Sequence, residues 1–234
     1  MAVYITGDIH RSTARLAMFC EEHMLTSEDI IVLLGDVGSN YYLDQRDMSV
    51  KEALSQLGVQ LLCIHGNHEE RPEVIESYHE VQWHGGTVYV EDAFPNLLFA
   101  KDGEVYDLAG HNCIAIGGAY SPDKEIRLLR GWKWFPDEQP SDAIKARVEK
   151  KLKHLSWKVD AVLTHTCPES YIPVEALLSG IDQSTVDSGT EEWLGKLEKK
   201  LDYHTWYCGH FHCDASIGKV HFLYNDWKKL ESER

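Results

Sequence analysis

Five short polar stretches carry most of the residues in this chain that could do chemistry: Gly7-Asp8-Ile9-His10, Gly35-Asp36, Gly66-Asn67-His68-Glu69, Thr164-His165 and Gly209-His210-Phe211-His212. Each follows an apolar, strand-like run. Carboxylate and amide oxygens mixed with imidazoles suit Mn, Fe or Zn, whereas an all-thiolate set would indicate structural zinc and an all-oxygen set Ca or Mg. Two such ions about 3.5 to 4 Å apart could bind phosphoryl oxygens, activate a hydroxide and offset the charge that develops during in-line attack. A carboxylate shared between them would let seven protein ligands suffice. Cys208 and Cys213 flank the last histidine pair and suggest a zinc clip, but His-x-His is too tight for the usual finger spacing, and Cys208 falls in an apolar run, which assigns it to the core.

Strands and helices must bring these stretches together from some two hundred residues of sequence. Val3 to Ile5, Ile30 to Leu34 and Val59 to Ile64 read as buried strands. Helices are expected after Ser12 or Thr13, with Leu16, Phe19, Cys20 and Met24 as the apolar face, near Asp47 to Leu57, and from Pro72. From Thr87 to Gly117 the runs TVYV, LLFA, EVYDL and NCIAIGG, punctuated by Asp102-Gly103 and Ala109-Gly110, read as antiparallel hairpins. An aromatic-rich insertion, Ser121 to Ser141, precedes a helix at about Asp142 to His154; AVLTH, a long polar loop, a helix at about Thr190 to Leu201, and the strands TWYC and VHFLY follow. This order predicts α/β layers around a central sheet or sheet pair, with ligand loops at the carboxyl ends of strands.

The chain is 43% hydrophobic and 26% charged, the balance of an ordinary globular domain with a sizeable core. Its net charge of -15 disfavours long nucleic acid as a partner. Six scattered cysteines fit a reducing compartment, and neither a secretory leader nor a membrane-spanning run is evident, so a cytoplasmic location is expected.

GDIH, GD, GNHE, TH and GHFH, in that order between residues 7 and 212, resemble the signature of the calcineurin-like metallophosphoesterases. The resemblance implies a four-layer α-β-β-α sandwich with mixed sheets and metals at strand C-terminal ends. It implies one domain over residues 1–234, with the insertion at about 120–140. Asp8, His10 and His212 would bind one metal, Asn67, His165 and His210 the other, and Asp36 would bridge them. The ions would be Mn first, with Fe or Zn as alternatives. His68 would act on the leaving group as a general acid or hold the phosphate, and Asp36 and His68 would be the catalytic pair. The run GDVGSNYY lacks the acid and the arginine with which the protein Ser/Thr phosphatase branch continues its GD motif, which argues against that activity.

Substrate contacts are expected from Arg11, Asn67 and His68, and from Arg127 and Arg130 in the insertion, which reads equally well as a base-stacking lid or as a structural flap or dimer contact. His65 is assigned a packing or supporting role, and Glu191 to Lys200 the solvated side of a helix. The expected activity is hydrolysis of a small phosphorylated or nucleotide-type ester. A nuclease or cyclic-nucleotide phosphodiesterase is the alternative enzyme, and a metal-stabilised protein-interaction scaffold the alternative of another class.

Overall fold

A computed structural model describes residues 1–231. The chain forms two mixed sheets. One holds β1 (Val3–Thr6), β2 (Ile30–Leu33), β3 (Gln60–Cys63), β4 (His79–Trp83), β5 (Gly86–Val90), β6 (Leu97–Ala100) and β13 (Lys228–Leu230), in the order β13-β1-β2-β3-β6-β5-β4. The other holds β7 (Val105–Leu108), β8 (His111–Ile116), β9 (Ala161–Thr164), β10 (Thr205–Cys208), β11 (Ala215–Ile217) and β12 (Val220–Phe222), in the order β11-β12-β10-β9-β8-β7.

Side chains alternate across each strand, so a strand buried on both faces must be apolar throughout. Ile30 and Val32 enter the layer between the sheets, where they join Val3, Leu62, Ala115 and Leu163. Ile31 and Leu33 point the other way, into a second core with Leu16 of α1 (Ala14–Glu22) and Val50 and Leu54 of α2 (Gln45–Ser55). On the opposite sheet Ile114, Ile116, Val162 and Trp206 meet Val148 and Leu152 of α4 (Asp142–His154) and Trp193 and Leu197 of α5 (Gly189–Glu198). Three cores therefore separate four layers, helix, sheet, sheet, helix. This is the architecture expected.

The differences from expectation are local. Asp102-Gly103 does not close a hairpin; it carries the chain from β6 in one sheet to β7 in the other, while Ala109-Gly110 does join paired strands. Pro72 starts only a 3-10 turn, Pro72–Val74, because the chain returns at once to extended backbone at Ile75. Met24 lies beyond α1 and is 82% exposed, and the Thr13 side chain makes no capping hydrogen bond. The insertion also contains a short helix, α3 (Lys124–Leu129), that its sequence pattern does not announce.

β1, β2 and β3 run parallel in one sheet, and β8, β9, β10 and β12 in the other. Their carboxyl ends deliver the polar loops to one edge of the sandwich.

Candidate dinuclear metal centre

Asp8 and His10 follow β1, Asp36 follows β2, Asn67 and His68 follow β3, His165 follows β9, and His210 and His212 follow β10. Asp8, Asp36 and Asn67 are 2% exposed and His165 is fully buried. Three groups of donors fall within 4.8 Å of one another: Asp8, His10 and His212; Asp8, Asp36 and His165; and His10, Asp36 and His68. His10 Nε2 lies 2.8 Å from His212 Nε2, and His165 Nε2 lies 3.5 Å from Asp36 Oδ1. Ligand atoms at about 2.0–2.2 Å from one ion stand about 3 Å apart, so these spacings are those of coordination edges.

The hydrogen bonds test whether a cation fits. His165 Nδ1 donates to the Leu34 carbonyl at 2.7 Å, which leaves Nε2 of the neutral ring as an acceptor. Asn67 Nδ2 donates to Ser121 Oγ at 2.9 Å, and Ser121 donates both its N–H, at 3.1 Å, and its hydroxyl, at 2.5 Å, to Glu138. That chain turns Asn67 Oδ1 toward His165 Nε2, at 2.8 Å. Two acceptors at that distance repel unless a positive charge lies beside them. Asp8 Oδ2 is buried with no hydrogen-bond partner; its 3.2 Å approach to His212 Nε2 is not aligned as one. A buried carboxylate oxygen without a partner is costly, and a cation removes the cost. The donor set fits divalent metal.

The loops reach this arrangement through unusual backbone. His10, Asp36, His210 and His212 all have positive φ, at 42°, 48°, 68° and 48°, a region that non-glycine residues seldom occupy and that clusters at functional sites. Two approaches require glycine: a Cβ on Gly66 would overlap Asp36 Oδ1, and one on Gly209 would overlap Asp8 Oδ1. Gly209 opens the turn that splits the histidine pair. Phe211 between them packs on Phe222 at 5.7 Å, His210 lies 5.0 Å from the His165 ring, and His212 4.8 Å from the His10 ring.

Electrostatics follow from burial. Desolvation would raise the Asp36 carboxyl, but His68, His165 and His10, with the His68 N–H at 2.9 Å, hold it far below the usual carboxylate range. Burial pushes His210 down to about 3, which keeps its ring neutral and able to accept a cation. Burial also lowers His68; Asp36 opposes this, and Arg127 and His10 add to it.

Supporting residues were less visible in sequence. Glu69, the last letter of GNHE, is fully buried and accepts from the N–H groups of Val37, Gly38 and Gly66 at 3.3, 3.0 and 3.3 Å, tying two ligand loops together. Burial and the nearby Asp36 raise its pKa to about 8. Arg15 reaches from α1 to the carbonyls of Gly7 and Asp8, both at 3.1 Å. Ser121 and Glu138 orient Asn67 through the hydrogen bonds given above. A sixth strand end also feeds the site: β8 pairs parallel with β9, so the insertion that follows it is aimed at the ligands.

That insertion brings Arg127, 8% exposed, to 2.7 Å from His68 Nδ1, while its Nε donates to Asp123 at 2.8 Å. Arg130 is exposed, its guanidinium 5.0 Å over the Trp132 ring, and it lines neither cavity at the site. Arg11 also departs from expectation. It borders a 200 Å³ cavity with Tyr41, Tyr42, Arg127 and Trp132, but its guanidinium is committed to Asp47 at 2.5 Å, the Gly38 carbonyl at 2.6 Å and the Arg46 carbonyl at 2.7 Å. It braces the loop after Asp36. His65 is buried, packs against Gly117, and has no hydrogen bond to either ring nitrogen. Cys208 lies in the outer core, and no cysteine belongs to the candidate metal groups among the described residues. A second cavity, of 720 Å³, also includes His68 in its lining.

The sequence model of the calcineurin-like phosphoesterases matches residues 1–214, and the chain belongs to that family. The family and the donor set together define a metal-dependent phosphoesterase in general terms. Among solved structures, TT1561 of Thermus thermophilus shares 12% identity and a TM-score of 0.53, with 99% of each chain covered. Another solved chain shares 12% identity and a TM-score of 0.51 over 100% of both chains. At such identities the likeness is one of fold. No curated protein matches the sequence.

Proposed function

We propose that this protein hydrolyses small phosphate esters at a dinuclear centre held by Asp8, His10, Asp36, Asn67, His165, His210 and His212, with Asp36 shared between the ions. The observation that carries this reading is the pair of facing acceptors, His165 Nε2 and Asn67 Oδ1, beside the unpartnered Asp8 Oδ2. Divalent ions, Mn first and Fe or Zn as alternatives, would supply charge to polarise the phosphoryl group and to activate water for in-line attack. The water oxygen bonds to phosphorus, the ester P–O bond breaks, and the leaving oxygen takes a proton.

His68 lines both cavities and would meet that oxygen. Arg127, at 2.7 Å, holds the ring and adds positive charge for a phosphate oxygen. Arg127 and His68 thus take the substrate-facing roles, and Arg11 positions the loop. Six unpaired cysteines support a cytoplasmic location, and no helix among the described residues is long and apolar enough to cross a membrane.

A diester reading is favoured by one feature: two separate cavities share His68 in their linings, so a phosphate there could carry a substituent in each. The test is turnover of para-nitrophenyl phosphate and bis-para-nitrophenyl phosphate by protein loaded with Mn, alongside Asp36→Asn. Release of nitrophenolate that Asp36→Asn abolishes is expected. Metal-loaded protein inert toward both esters would leave the scaffold reading in its place.

A further inference from the structure

The two cavities share His68 and differ in nearly everything else. The smaller, 200 Å³, is walled by Arg11, Arg127 and three aromatic residues. The larger, 720 Å³, contains no lysine or arginine among its lining residues. Beyond the ligands its lining is mostly apolar and includes Pro173, Ala176, Leu177, Leu178 and Phe211, with Gln183 as a neutral polar residue, and the carboxylates that line it outside the metal centre are Asp123 and Glu175. Asp123 is neutralised by Arg127 at 2.8 Å; Glu175 is exposed and forms no ion pair among the described residues.

The volume falls in the range of sites that enclose a whole small molecule rather than a phosphate alone. An anionic group placed against this wall, away from the metal ligands, would lose hydration against leucine and proline side chains, meet no lysine or arginine, and face Glu175. A hydrocarbon or ring surface would instead bury apolar area on both sides of the contact. Leu178 is 58% exposed, so this wall presents apolar surface that packing within the chain does not use.

Resting on the phosphoesterase reading above, we propose that the larger cavity selects the organic arm of the substrate, and that this arm is bulky, ring- or chain-bearing, and free of negative charge. Nucleoside and aryl arms fit this description. Arms ending in a carboxylate or a further phosphate do not. Leu177, Leu178 and Glu175 are then specificity-determining residues, remote from the bond that breaks.

The test is a series of para-nitrophenyl phosphodiesters that differ only in the second ester group: methyl, phenyl, 1-naphthyl and 4-carboxyphenyl. For the Mn-loaded protein kcat/KM is expected to rise about tenfold or more from methyl to 1-naphthyl and to fall about tenfold from phenyl to 4-carboxyphenyl. Leu178→Lys, at an exposed position where folding is undisturbed, is expected to erase most of the penalty on the carboxyphenyl ester, and Glu175→Gln to reduce it. Equal kcat/KM across the four esters, or a preference for the carboxyphenyl arm, overturns the proposal while leaving the phosphoesterase reading intact. No turnover of any ester, the methyl one included, overturns that reading and this proposal with it.

Discussion

The floor of the site and its walls are made differently. On the floor, Asp8, Asp36, Asn67 and His165 are at most 2% exposed, four ligands sit in left-handed backbone, and two glycines are required for clearance. The walls are a helix of six residues, α3, the 3-10 turns Val174–Ala176 and Gln183–Thr185, and the loop between those turns, and they leave Leu129 88%, Val174 72% and Leu178 58% exposed. The floor stores strain that only a packed sandwich can hold. The walls carry little of the fold's burden. On the proposals above, chemistry would rest on the tightly packed part of the molecule and selectivity on the loosely packed part.

Substituting the floor should produce the largest effect. Asp36→Asn keeps the shape of the side chain and the bond from the His68 N–H but removes the charge that two ions would share. A fall in kcat on the order of 10³-fold is expected, with bound metal dropping from two per chain toward one by elemental analysis. If kcat changed less than tenfold with metal content unaltered, the floor would not be where the chemistry resides.

Metal removal probes the same contrast thermodynamically. Without cations, Asp8 and Asp36 are buried carboxylates and His165 faces Asn67 acceptor to acceptor. A ligand present at one hundred times its dissociation constant stabilises by about 2.7 kcal/mol. For a chain of this size that corresponds to a Tm higher by roughly 5 to 10 °C, since 1 kcal/mol shifts it about 2–4 °C. Calorimetry with and without chelator would measure it. An unchanged Tm would mean that the facing acceptors do not hold metal.

Arg127 links wall to floor, so its removal should give an intermediate result. Arg127→Ala takes away the contact with His68 and is expected to lower kcat about tenfold, with Arg127→Lys recovering part of it. Loss confined to KM would instead make Arg127 a phosphate contact that leaves His68 unaided.

What the sequence made visible follows the same division. The ligand loops could be read because each pairs a metal-ligating side chain with a strand end, and four of the five also carry a glycine in short local order. The layers could be read because IIVL and AVLT are apolar on both faces. The insertion's direction could not be read. Residues 87 to 117 pattern as hairpins, and nothing local reveals that β8 pairs parallel with β9, some fifty residues on. Ser121 and Glu138 were therefore not placeable at the ligands, and Arg127, expected as a substrate contact, could not be distinguished from Arg130. Glu69 stands in plain view within GNHE, but its role depends on the N–H groups of Val37 and Gly38, about thirty residues earlier. The strands β11 and β13 escaped notice because three residues with little burial leave no pattern.

The smallest effect belongs to the outermost wall. Leu129 is 88% exposed, whereas Leu54 of α2, the same side chain, is fully buried beneath the sheet. Leu54→Ser would combine a cavity with a buried hydroxyl and should cost about 3 to 5 kcal/mol. Leu129→Ser should change stability by less than about 0.5 kcal/mol and leave the metal content as it was. Paired urea titrations of the two variants measure the difference directly. If Leu129→Ser cost as much as about 2 kcal/mol, well outside the range of free surface positions, the insertion would be packed against something in solution, and the distinction between a strained floor and unburdened walls would fail at that point.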